Sequence, residues 1–225
     1  VMHQLRSKGA PIISGIGVAV MDMARATCIY GCPEYRLILS ACADLYHHYS
    51  VPVWGTAGVT DANCLDLQAG MEWGSSLLLN AMAGVNLIHD VGYMGQGLVG
   101  HPAALVVCDE IISYTKRFMR GFELDDDHFG LDTIREVGAG GSFLSARPTA
   151  RFLRSEHWYP NLCNRDSVVA WQEKGGPDMA DLAVEKARDI LRSHVPQALP
   201  DSVQNELERI RMHAETLLNG IQFKT

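Results

Sequence analysis

The stretch Val85-Asn86-Leu87-Ile88-His89-Asp90-Val91-Gly92-Tyr93 decides the fold. Val85 to Val91 is an apolar, partly β-branched run and predicts a strand. Gly84, just before it, marks the end of a helix predicted over Leu65 to Ala83, with Asp61 and Asn63 as candidate N-caps. Further out, Val51 to Gly55 predicts a second strand, and Pro11 to Val20 a first one. Between them, Glu34 to Ser50 predicts a helix with Pro33 at its start and Leu37, Ile38, Ala41, Leu45 and Tyr49 on one face. On the C-terminal side, Pro102 opens a helix that runs to about Gly121. Strands alternating with helices across short glycine-rich loops are βα units on a parallel sheet, so the class is α/β.

After Gly121 the pattern changes. Leu131 to Val137 predicts a short helix, and Gly138 to Pro160 reads as irregular. Helices follow over Asp166 to Lys174, Asp178 to His194 and Pro200 to Leu218, the last capped by Asp201 or Ser202. The expected division is a βα portion over 1–137 and a glycine-rich loop with a helical tail over 138–225. Three βα units cannot close a barrel, which needs eight strands. The chain is therefore a small open sheet or the later part of a barrel. It opens on Val1 and reads from there as the interior of a domain, so a longer protein is expected.

Composition narrows the function. The 225 residues can bury a sizeable core, and 47 % hydrophobic with 20 % charged residues is ordinary for a globular chain. A net charge of −7 argues against a nucleic-acid partner held by counterion release. No apolar run approaches the roughly 18 residues of a membrane helix, so no membrane partner is expected. The six cysteines (Cys28, Cys32, Cys42, Cys64, Cys108 and Cys163) form no CxxC pair. With no basic-then-apolar signal at the start, they read as free thiols, mostly small buried hydrophobes, in a cytoplasmic protein. Cys28 and Cys32 are a weak zinc hint, and no metal is expected.

Chemistry concentrates at the strand ends, where ligands bind in parallel α/β folds. His89 and Asp90 place two ionisable groups there, with Gly92 and Tyr93 beside them. Tyr93 and Trp54 are candidate walls of a small aromatic cage for a quaternary ammonium group. The run Gly55-Thr56-Ala57-Gly58-Val59-Thr60-Asp61 follows the second strand, and Asp66, Gln68 and Glu72 sit at the start of the next helix, Gln68 and Glu72 on one face. Asp109 and Glu110 are adjacent acids in an apolar run, so one must face inward or pair with a base such as Lys116 or Arg117. Gly138, Gly140 and Gly141 form a second glycine cluster whose amides suit an anion or the close approach of a large ligand. Arg147, Arg151, Arg154, His157 and Trp158 make a locally basic, aromatic stretch, suited to an acidic partner or to salt bridges across the tail.

In order and spacing these blocks are similar to a known family. They are Gly31-Cys32-Pro33-Glu34; Pro52-Val53-Trp54-Gly55-Thr56-Ala57-Gly58 with Asp61, Asp66, Gln68-Ala69 and Glu72; Asn86 to Tyr93; Cys108-Asp109-Glu110; Glu136 to Leu144; and Trp171 with Gly175. The chain resembles the trimethylamine methyltransferase superfamily, and in particular its glycine betaine methyltransferase branch. The resemblance implies a TIM-type βα barrel of about twice this length, with this chain as its C-terminal half.

It also implies a reaction: a methyl group passes from a methylated, betaine-like amine to the Co(I) corrinoid (cobalamin) of a separate corrinoid protein, in one-carbon metabolism such as methanogenesis. Under it, His89, Asp90 and Tyr93 are the expected catalytic group. Trp54, Asp61, Gln68, Glu72 and Tyr93 hold the amine, and Gly55, Gly58, Gly92, Gly138, Gly140 and Gly141 face the corrinoid. Gly92 to Leu105 contains only standard residues, which favours the branch without pyrrolysine. Arg147-Pro148-Thr149 stands where the resemblance leads one to expect a His-Thr pair. Two other readings compete. One is a non-catalytic homologue that binds an amine or a corrinoid protein. The other is a metal-dependent barrel hydrolase using His89, Asp90 and Asp61, disfavoured because no dense ligand set is visible. Homo-oligomers are among the expected assemblies, since half a barrel leaves sheet edges unpaired.

Overall fold

A computed structural model describes residues 2–219. The chain forms two compact units, Val1–Arg188 and Asp189–Thr225. The first begins with helix α1 (Met2–Arg6), strand β1 (Ser14–Gly15) and an antiparallel pair, β2 (Val20–Asp22) and β3 (Thr27–Ile29). Helix α2 (Pro33–His48), strand β4 (Val53–Thr56), helix α3 (Leu67–Met82) and strand β5 (Leu87–His89) follow. A second small hairpin, β6 (Tyr93–Met94) and β7 (Val99–Gly100), leads into helix α4 (Pro102–Arg120). Beyond it lie α5 (Asp126–Phe129), α6 (Leu131–Val137), α7 (Arg147–Glu156), α8 (Val168–Glu173), α9 (Met179–Ser193) and α10 (Asp201–Asn219).

The expected α/β class is present. Strands β1, β4 and β5 form a parallel sheet in the order β1-β4-β5, with Ser14 opposite Val53 and Thr56 opposite His89. The first strand is shorter than the sequence run suggested, because the chain leaves the sheet after Gly15 and turns into the β2–β3 hairpin.

Two apolar clusters hold the unit together. One joins Ile16, Tyr35, Leu39, Ala43 and Val53. The other packs Ala69, Trp73 and Leu77 of α3 against Ala103, Ala104, Val107 and Cys108 of α4, with Leu162, Ala183 and Ala187 alongside. Alanines at the α3–α4 seam let the two helices approach closely.

Several local expectations are corrected. The buried face of α2 is Tyr35, Arg36, Leu39 and Ala43, whereas Leu37, Leu45 and Tyr49 are exposed. Both stripes recur at helical spacing, and it is the Tyr35–Leu39–Ala43 stripe that meets Ile16 and Val53. The N-cap of α3 is Asp66, whose carboxylate accepts the Ala69 amide, rather than Asp61 or Asn63. The stretch read as irregular contains α7, which starts with a proline in its first turn. Asp201 is already inside α10. Glu110 faces inward, but it pairs with the backbone amides of Asn161, Leu162 and Cys163 and not with a base. Arg117 instead bonds the Glu156 carbonyl and carboxylate. All six cysteines are free, as read, yet only Cys108 is fully buried.

The second unit carries the end of α9 and α10. Ion pairs one turn apart, Arg209–Glu206 and Arg211–Glu208, run along α10. Among the described residues no helix is long and apolar enough to cross a membrane.

Candidate functional site

At the carboxyl end of the sheet, β4 and β5 extend their pairing into the loops that follow them. The Gly92 amide donates to the Gly58 carbonyl at 2.8 Å, the Thr60 amide to the Tyr93 carbonyl at 3.0 Å, and Val59 bridges to Tyr93 in parallel register. Gly58 sits at φ +68°, and a Cβ there would lie 3.2 Å from the Val91 backbone, so only glycine fits comfortably. Ser76 of α3 accepts the Gly58 amide at 3.0 Å and fixes this loop to the helix below it.

This framework shapes a cavity of about 250 Å³ lined by Tyr30, Thr56, Val59, Asp90, Tyr93, Gln96 and Gly97. Asp90 has φ +66°, a left-handed backbone at the turn that closes β5. Its Oδ2 lies 2.6 Å from His89 Nδ1 and accepts the Thr56 hydroxyl at 3.5 Å, while His89 Nε2 is 3.3 Å from Thr56 Oγ1. The His89 ring packs edge-on to Trp54, centroids 4.5 Å apart. His89, Asp90 and Thr56 are therefore one hydrogen-bonded group, of which Asp90 and Thr56 line the cavity and His89 does not. A carboxylate, two phenol rings and no lysine or arginine on its lining suit this cavity to a positively charged ligand.

The other residues singled out in the sequence lie at graded distances from this group. Trp54 touches His89 and is not part of the cavity lining, where Tyr30 and Tyr93 are the aromatic walls. Asp61 turns its carboxylate onto the Tyr30 and Gly31 amides. Glu72, buried at 6 % exposure, accepts the Thr60 hydroxyl at 2.6 Å, the Asp61 amide at 2.8 Å and Gln68 Nε2 at 2.9 Å. The buried Thr60 and Glu72 side chains form a support under the loops, with the exposed Gln68 at its edge. Gly55 is within β4, and Gly92 follows Asp90 with φ +88°. Gly138, Gly140 and Gly141 lie between α6 and α7 and are not among the lining residues of this cavity. Arg151 pairs with Asp127 at 2.7 Å, and Trp158 Nε1 donates to the Ser113 hydroxyl.

Tyr30, Gln96 and Gly97 are the lining residues that the sequence does not single out. Tyr30 follows a hairpin of two three-residue strands, too short to show alternation, and its partner Asp61 is 31 residues away. Gln96 sits at φ +61° inside a glycine-rich turn, Gly95-Gln96-Gly97, which carried the only available hint. Among the described residues no group of three or more His, Cys, Asp or Glu side chains is gathered to hold a metal ion.

Comparison of the sequence with known proteins places the chain in a family. The family model of Trimethylamine methyltransferase (MTTB) matches residues 1–215. The chain is 31 % identical over 210 residues to a trimethylamine methyltransferase of Desulfitobacterium hafniense (strain DSM 10664 / DCB-2), covering 93 % of this chain and 42 % of that protein. It is 30 % identical over 221 residues to the trimethylamine methyltransferase of Methanosarcina barkeri, covering 98 % and 44 %. A glycine betaine methyltransferase of Desulfitobacterium hafniense (strain Y51) is 30 % identical over 208 residues, covering 92 % and 43 %. The chain thus spans less than half the length of these relatives, and the part it matches is their C-terminal ~43 %.

Proposed function

The chain belongs to the trimethylamine methyltransferase family, and from that premise we propose that it is the C-terminal part of an enzyme that takes a methyl group from a methylated, betaine-like amine. The acceptor in this proposal is the Co(I) corrinoid of a separate corrinoid protein, and the chain completes its barrel with a preceding segment. The observation that carries the reading is the cavity at the end of β4 and β5, where Asp90, Tyr30 and Tyr93 meet.

The fit to a large acceptor rests on the rim. Tyr93 is half-exposed, the Asp90 side chain is 28 % exposed, and Gly97 adds no side chain to the cavity edge. A Co(I) corrinoid supplies a nucleophile strong enough that no protein nucleophile is needed. What the chain must do is bind, orient and exclude water.

A quaternary amine leaves as a neutral tertiary amine: the C–N bond breaks and its electron pair stays on nitrogen, so no proton has to be delivered. The aromatic faces of Tyr30 and Tyr93 and the Asp90 carboxylate hold the cationic nitrogen. His89 fixes the Asp90 carboxylate through Nδ1, and Trp54 fixes the His89 ring. Gln96 is a side-chain hydrogen-bond donor on the lining that suits a carboxylate on the same substrate, whereas the Thr56 hydroxyl is engaged with Asp90 and His89.

The test uses the full-length protein that contains this chain, with Co(I) cobalamin and a panel of glycine betaine, trimethylamine and choline. Methylation of the cobalamin by one of them, read from its absorption spectrum, is the expected outcome. If none is a methyl donor, the proposal falls. A second reading, amine binding without turnover, is favoured by Arg147-Pro148 standing where the resemblance leads one to expect a His-Thr pair. Saturable binding without transfer would select it.

A further inference from the structure

The peptide of Tyr30 is held on both sides. The Asp61 carboxylate accepts its amide at 3.0 and 3.2 Å and the next amide, Gly31, at 2.8 Å. Arg36 Nη2 donates to its carbonyl at 2.7 Å. Asp61 is in turn fixed through its own amide by Glu72, and a Cβ on Gly31 would overlap the Glu72 carboxylate. The ring of Tyr30 meets Tyr35 edge-on, centroids 5.6 Å apart, before reaching the cavity.

This support is costly. Arg36 is only 5 % exposed, and its Nε and Nη1 have no hydrogen-bond partner among the described residues. A guanidinium buried without full pairing destabilises a fold. Among the described residues its one side-chain hydrogen bond goes to the Tyr30 carbonyl, while its guanidinium lies over the Tyr35 ring at 5.3 Å, so its burial is tied to the conformation of that loop. The loop delivers a single side chain to the cavity, and that side chain is a phenol.

We infer that Tyr30 is a specificity-determining residue that recognises the methylated ammonium group through its ring face, and that Asp61 and Arg36 are positioning residues that set this ring against the cavity. The inference rests on the methylated-amine reading above and adds the residue that selects cation over neutral ligand. It also assigns Asp61 a role through Tyr30 instead of through direct contact with substrate.

The experiment measures binding of choline, and of the neutral analogue in which carbon replaces its nitrogen, to the full-length protein by calorimetry. Tyr30→Leu is expected to weaken choline about tenfold while leaving the neutral analogue within about twofold. Phenylalanines carrying successive ring fluorines at position 30 keep the shape of the ring and drain its negative face, so choline affinity should fall stepwise along that series even if Tyr30→Leu does not fold. Asp61→Ala should give the same loss, and in methyl transfer the loss should sit in KM and not in kcat, with partial rescue by Asp61→Asn.

Equal affinity along the fluorinated series overturns the role of Tyr30 and leaves the methylated-amine reading standing. A loss confined to kcat in Asp61→Ala overturns the positioning role. Failure of the unmodified protein to bind choline, glycine betaine or trimethylamine overturns the methylated-amine reading itself.

Discussion

The hydroxyl of Thr60 donates to Oε2 of Glu72 across 2.6 Å, tying the loop after β4 to the second turn of α3. The same oxygen accepts the Asp61 amide, so one buried carboxylate fixes the backbone from which Asp61 reaches the Tyr30 loop. Removing the acceptor leaves the buried Thr60 hydroxyl proton and the Asp61 amide without an acceptor, although the Thr60 oxygen still accepts the Ala62 amide. Glu72→Ala should therefore lower stability by about 3 kcal/mol, measured by urea unfolding. Glu72→Gln retains an acceptor oxygen and should cost less. Equal stability of Glu72→Ala and the unmodified protein would show that the support is not a structural keystone.

Gly58 has no freedom to carry a side chain. Its left-handed φ of +68° disfavours any L-residue by roughly 1–2 kcal/mol, and the Val91 backbone lies 3.2 Å from the site of a Cβ. Gly58→Ala should lower the midpoint of thermal unfolding by several degrees, on the order of 4 °C for a chain of this size. It should also weaken amine binding, because Gly58 and Gly92 hold the two strand ends together. A Gly58→Ala protein with unchanged melting and affinity would remove this account of the loop.

What could be read from the sequence depended on how locally each feature is encoded. His89, Asp90 and Tyr93 lie within five residues of one strand end, and the structure gathers them where a parallel sheet presents its ligands. Tyr30 reaches the same cavity only through a partner 31 residues away, and no local pattern announces it. Helix α2 illustrates a different limit. Periodicity shows that it has apolar stripes, but only the packing of Tyr35 and Leu39 on Ile16 and Val53 decides which stripe is buried. Helix α7 was hidden by its arginine-rich composition and by Pro148, a residue that a first helical turn accepts.

Glu110 makes stability depend on acid pH. Burial opposes its charge, but the amides of Leu162, Cys163 and Asn161 outweigh burial and hold its pKa below the ordinary 4.5. A carboxyl depressed in the folded state stabilises above its unfolded pKa, and the contribution fades as pH falls through the folded value. Glu110→Gln should therefore be less stable than the unmodified protein at pH 7 by about 1–3 kcal/mol, with the gap closing below about pH 4. Denaturant midpoints across that range check the sign. A gap that widens on acidification would contradict it.

The cysteines should separate by reactivity. Burial pushes the Cys108 thiol up to about 12, whereas Cys28 and Cys64 are exposed. At pH 8 a mild alkylating reagent should modify Cys28 in the folded protein and leave Cys108 untouched until the chain is denatured. Peptide mass spectrometry after a timed pulse reads the order. Labelling of Cys108 as fast as Cys28 would mean that the α3–α4 seam opens readily.

Asp90 offers the cleanest separation of charge from shape. Its backbone is left-handed at φ +66°, a region that asparagine and aspartate both adopt more readily than other non-glycine residues, so Asp90→Asn should keep the turn after β5. The substitution removes the carboxylate that faces the cavity and pairs with His89 Nδ1. The Asp90 side chain is 28 % exposed, so the lost attraction for a cationic amine is that of a partly solvated pair, about two- to fivefold in affinity. High salt should shrink the difference between the two proteins, because the screening that weakens the Asp90 attraction has nothing to act on in Asp90→Asn. Titration of choline into both proteins at low and high ionic strength measures it. If Asp90→Asn binds choline as tightly as the unmodified protein at low salt, the carboxylate is not part of cation recognition, and the two tyrosine rings carry it alone.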